Sequence, residues 1–122
     1  MSNPRAALML AVAAAEVGVK ELLIDLVPQV EWFTLHVQSP PLVGLLKNSL
    51  SQLPVRQGVG TPAPQEVVNV MERAIKARNN LAHQGRFRVL DVNLEEVTNV
   101  VESLLKQFEY YRGFAWVTPV WS

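Results

Sequence analysis

Apolar residues recur near the start of the chain at Leu8, Val12, Ala15, Val19, Leu22 and Leu26, in steps of four, three, four, three and four. That spacing holds one face of an α-helix apolar. Asn3 is its expected cap, and Pro4 suits the first helical position. Pro28 disfavours helical backbone at Val27, so the helix is expected to stop near Leu26. A short second helix is expected from Glu31 to Val37, broken by Ser39-Pro40-Pro41, and a third from Leu42 to Leu53, ended before Pro54. Residues 55–64 carry Gly58, Gly60, Pro62 and Pro64 and read as a loop. The next helix spans roughly Gln65 to Gln84, with Gly85 as its left-handed stop. Arg86 to Val92 is a short connector with extended character. Asn93 and Glu96 form a capping box that opens a last long helix. Its stripe is Val97, Val100, Val101, Leu104, Leu105, Phe108 and Tyr111, and Gly113 ends it.

Short loops joining apolar-striped helices predict an all-α fold: an antiparallel helical bundle of about four to five helices. The 122 residues are enough for one domain spanning 1–122, either as a whole protein or as a piece of a longer one. There is no internal repeat and no low-complexity linker. Residues 114–122 form an apolar tail with Phe114, Trp116 and Trp121, too short to fold alone. It is expected to pack back on the bundle or onto a partner chain.

Composition adds three constraints. Hydrophobic residues make up 49% and charged residues 18%, an apolar balance that points to surface covered by a second chain. The formal net charge is zero, so any attraction for an anion must be local. There is no cysteine, which excludes disulfides, thiolate nucleophiles and Cys-based zinc sites and fits a cytoplasmic protein. Arg5 followed by an apolar run to Ala15 imitates a secretion signal, but the helical stripe continues through the supposed cleavage point. The run is also too short to span a bilayer, so no membrane partner is expected.

The helix from Gln65 to Gln84 carries the chemistry. Val67, Val70, Met71, Ala74, Ile75, Leu81 and Ala82 follow helical spacing, and the position that completes the stripe is Arg78. An arginine inside an apolar stripe is costly unless it is paired or faces an anion. Glu16, on the flank of the first helix's stripe, is the candidate supporting ion-pair partner. Asn79 and His83 are four apart and share one edge of the helix. His83 falls in the last turn, where the helix dipole favours imidazolium, a placement suited to proton exchange near neutral pH.

Arg78-Asn79-x-x-x-His83 resembles the R-x(4-6)-H signature of HEPN domains, with the polar residue that family usually places after the arginine. The surrounding ARNNLAHQG, the opening AAAEVGVKELL from Ala13 to Leu23 and the closing FEYYRGFAW from Phe108 to Trp116 are similar to the family as well. The likeness spans most of the chain, and its specific part is the arginine-to-histidine motif. The resemblance implies a helical bundle that dimerises and brings two motifs into one cleft. It also implies either a metal-independent endoribonuclease of toxin–antitoxin, anti-phage or RNA-processing systems, or a member that has lost catalysis and only binds nucleotides, RNA or protein. Under the first, Arg78, Asn79 and His83 of both subunits form the catalytic site, with no cofactor. Under the second, the domain is an interaction module, for example the half of a two-gene system that binds an antitoxin or other partner protein. Arg78 is then a structural ion-pair partner.

Local charge bears on this choice. Arg73, Lys76, Arg78, Arg86 and Arg88 fall within sixteen residues that contain no acid, and hold five of the eleven positive charges. Such an island on a neutral protein is a candidate RNA phosphate-binding patch. His36 lies amid Trp32, Phe33, Leu35 and Val37 and reads as a packed or surface side chain. Two distant histidines without cysteine or a tight carboxylate cluster argue against a metal site. Tyr110, Tyr111 and Trp116 could stack on bases, though packing is the commoner use of such residues.

Overall fold

A computed structural model describes residues 3–31, 36, 42–84 and 92–121. These form a helical bundle, with no strand among the described residues. α1 runs Pro4–Leu26, α2 Gln65–Gln84 and α3 Leu94–Tyr111. A short 3-10 turn, Pro28–Val30, follows α1. The expected second helix falls mostly outside the described residues.

α1 begins as its sequence demands. Asn3 Oδ1 accepts from the Ala6 amide at 3.1 Å, and Pro4 occupies the first turn. All six residues of its stripe are buried, together with Gly18. Removing an aliphatic side chain of this size from water contributes about 1.5–3 kcal/mol, so the stripe outweighs the cap in fixing the helix. At Gly18 α3 comes close, since a Cβ there would meet Leu105 Cδ2 at 2.5 Å. α3 opens on Asn93, whose side chain accepts from the Glu96 amide at 3.1 Å.

α1 and α3 lie side by side in the same direction. Asn3 and Ala7 share a surface groove with Leu94 and Thr98 at one end, and Arg112 reaches Asp25 at the other. α2 returns antiparallel to both. Its start lies by the end of α3, where the Thr61 amide donates to Tyr111 Oη at 3.1 Å, and its later turns reach Glu16.

Residues 42–52 are helical, as expected, but not regular. The segment passes from α (Leu42–Gly44) to π (Leu45–Ser49) to 3-10 (Leu50–Gln52). The π register has a visible cause. The Leu50 amide donates to Leu45 O, so Leu46 O is left to accept from the Ala63 amide at 2.8 Å. Leu42, Leu45, Leu46 and Leu50 all remain buried. The loop that follows is pinned at several points. Besides Ala63, the Arg56 amide donates to Tyr111 O at 2.8 Å. At Gly60 a Cβ would run into the backbone oxygen of Leu50.

The tail packs back on its own bundle. Gln107, fully buried in α3, accepts from the Val120 amide at 2.6 Å and the Trp121 amide at 3.2 Å, and donates to Trp121 O at 3.0 Å. No helix among the described residues is long and apolar enough to cross a membrane.

Candidate functional site around Arg78

α2 buries Val68, Val70, Met71, Ala74 and Ala77, a wider face than the expected stripe, while Val67, Ile75 and Leu81 are half-buried. Arg78 stands on this face and is half-buried. Its side chain keeps 16% of its surface, and that of Glu16 keeps 15%. Arg78 Nη1 donates to Glu16 Oε1 at 2.9 Å, and Arg78 Nε donates to Asn79 Oδ1 at 3.2 Å. The sequence-predicted pairing of α1 with α2 through these residues is therefore present. Nη2 has no hydrogen-bond partner among the described residues.

This arrangement does two things chemically. The carboxylate fixes the guanidinium at the seam of two helices, which offsets the cost of holding a cation at the core's edge. The remaining Nη2 donors leave one side of the fork available for a phosphate oxygen. Beside it, an open groove is lined by Val43, Glu72, Ile75, Lys76, Asn79 and Asn80. Lys76 and the two amides give this groove donors for an oxyanion.

His83 lies in the last turn of α2, one helical turn beyond Asn79. Its side chain lies outside the described residues, as do Arg86 and Arg88. The basic island is less free than its sequence implies. Arg73 is drawn to Glu96 of α3 at 3.5 Å, with both side chains about half exposed. Lys76 in the groove, with Glu72 nearby, makes no ion pair among the described residues. Those residues contain no group of three or more acidic or histidine side chains able to hold a metal ion. Tyr111 is buried and belongs to the core, whereas Trp116 is exposed and stacks on Phe114 at a centroid separation of 5.2 Å. His36 is on the surface.

No family model matches the chain, and no solved structure matches it.

Two features escaped sequence reasoning. Gln107 completes the stripe of α3 between Leu104, Phe108 and Tyr111, the same signal that singled out Arg78, and could have been found that way. The second is a clamp at the far end of the bundle. Arg56 grips Asp25 with both terminal nitrogens, at 2.7 and 3.1 Å, and Arg112 Nε adds a bond to the same carboxylate at 2.9 Å. The Arg56 hydrogen bonds, then those of Arg112, hold the Asp25 carboxyl below the usual carboxylate range. Three separate segments supply this clamp, and nothing local in the sequence announces it.

Proposed function

We propose that the chain is a HEPN-type domain that cleaves RNA without a metal ion as a homodimer, using Arg78, Asn79 and His83 of both copies. The observation that carries the reading is the Arg78 constellation. A guanidinium is held by Glu16 and Asn79, with one nitrogen unpaired among the described residues, on the same helix as His83 and beside a groove bearing Lys76.

The chemistry asks for three things: a base for the 2′-hydroxyl, an acid for the leaving oxygen, and positive charge on the phosphate. The 2′-oxygen attacks phosphorus and loses its proton to the base. The bond from phosphorus to the 5′-oxygen breaks, and that oxygen takes a proton from the acid. A 2′,3′-cyclic phosphate and a 5′-hydroxyl result. Each copy supplies one His83, so two copies supply both proton-transfer groups. Arg78 Nη2 and Lys76 supply charge to the phosphate, and Asn79 holds the arginine in place. A toxin–antitoxin, anti-phage or RNA-processing role follows from the resemblance to the HEPN family.

One observation favours a second reading, a catalytically silent interaction module. Two of the three nitrogens of Arg78 are already engaged within the chain, as a purely structural arginine would be. Cleavage of a mixed RNA pool in EDTA separates the two. Under the first reading wild type cuts, while Arg78→Ala and His83→Ala are silent yet folded. Under the second, clean wild type leaves RNA intact.

A further inference from the structure

α1 is apolar on two faces. One forms the core. The other carries Met9, Leu10 and Val17, which remain 40%, 71% and 54% exposed, with the exposed Ala13 between them. A surface helix ordinarily turns polar residues to solvent, so a second apolar face calls for a second partner.

The order of residues on that face indicates which partner. Arg5, Met9, Ala13, Val17 and Glu21 form one row of steps of four. The row is symmetric about Ala13: an apolar residue stands four positions to either side, and opposite charges stand eight positions to either side. Arg5 makes no ion pair among the described residues. Glu21 is 61% exposed, and its contact with Arg112 is long, at 3.8 Å. Rows of this kind become parallel when two helices cross at about −50°, the commonest helix packing. Under a two-fold axis the row of one copy then runs antiparallel to that of the other. Ala13 meets Ala13, Met9 meets Val17, and Arg5 meets Glu21, twice over. The small side chain at the centre lets the backbones approach.

We infer that a second copy of this chain docks on the outer face of α1, in a two-fold helix crossing centred on Ala13 and closed by Arg5–Glu21 pairs. This rests on the homodimer reading and states where the two copies meet. α2 flanks α1 on the Glu16 side. A two-fold axis perpendicular to the crossing helices leaves both α2 helices on the same side of the interface. The two Arg78 side chains therefore border one cleft, and the two His83 positions lie along it. One helix crossing is a small contact, so the dimer is expected to loosen on dilution.

The absence of native cysteine makes the test direct. Helix axes about 8–10 Å apart, less two Cα radii of about 2.3 Å, place the central Cα atoms within disulfide range. Sedimentation of wild type over a wide concentration range is compared with mild oxidation of Ala13→Cys, with Glu102→Cys on the exposed side of α3 as control. Arg5→Glu and Glu21→Arg are measured singly and together. The expected result is a wild-type dimer and a cross-linked Ala13→Cys dimer with little product from the control. Each single charge reversal should weaken association about three- to tenfold, with recovery in the double variant. A wild type that stays monomeric at high concentration overturns the homodimer reading and this interface together. A dimeric wild type whose Ala13→Cys links no better than the control, without charge-swap recovery, overturns the interface and leaves the homodimer standing.

Discussion

Arg78 of α2 and Glu16 of α1 are joined by a 2.9 Å hydrogen-bonded ion pair, with each side chain about 15% exposed. Sixty-two residues separate them in sequence, so the bond ties the first helix to the helix that carries His83. Glu16→Ala strands the guanidinium at the edge of the core and is expected to cost about 1–3 kcal/mol in urea denaturation. Glu16→Gln keeps an acceptor and should cost less. The double change Glu16→Leu with Arg78→Leu should recover most of the loss. A double variant as unstable as the sum of its singles contradicts the pairing.

Asp25 provides a pH signature. Its carboxyl is lowered in the folded chain by Arg56 and then Arg112, so its contribution to stability is present above the unfolded value of 3.8 and disappears as pH falls through the folded value. Asp25→Asn is expected to lower the melting temperature at neutral pH. Its gap from wild type should stay flat down to about pH 5 and close in more acid solution. A gap that persists unchanged into strong acid contradicts the clamp.

Gln107 holds the tail. Gln107→Leu removes three hydrogen bonds to residues 120 and 121 while keeping an apolar stripe on α3. The amides it frees can turn to water, so the loss is expected to be about 1–2 kcal/mol rather than collapse. Hydrogen exchange should accelerate at Val120 and Trp121 and remain slow in α1. Uniform acceleration throughout the chain contradicts a local anchor.

Two glycines should respond differently to alanine. At Gly18 the obstacle is the mobile end of Leu105, and about 1 kcal/mol of helix propensity is gained in return. Gly18→Ala is therefore expected near neutral. At Gly60 the obstacle is the backbone oxygen of Leu50, which cannot move without disturbing the irregular turn below it. Gly60→Ala should cost about 1–3 kcal/mol in the same denaturation series. Equal costs contradict the close approach.

The legibility of this fold in its sequence follows the range of the forces involved. The buried face of α1, the caps at Asn3 and Asn93 and the helix from Gln65 to Gln84 rest on neighbours within a turn or two, and their spacing shows them. The Glu16–Arg78 pair was legible because a charge interrupted a stripe. The π register of 45–49 was not, since its cause is the Ala63 amide reaching Leu46 O from across a loop. The Asp25–Arg56–Arg112 clamp and the parallel course of α1 and α3 depend likewise on segments far apart in the chain. Arg73 read as free charge until Glu96 of α3 stood beside it.

Metal-free cleavage is tested most directly by incubating RNA in EDTA with wild type, Arg78→Ala and His83→Ala, each shown folded by circular dichroism. Wild type is expected to yield products ending in 2′,3′-cyclic phosphate, with a loss of at least about a hundredfold in each variant. Intact RNA after incubation with folded, dimeric wild type at high concentration contradicts metal-free cleavage.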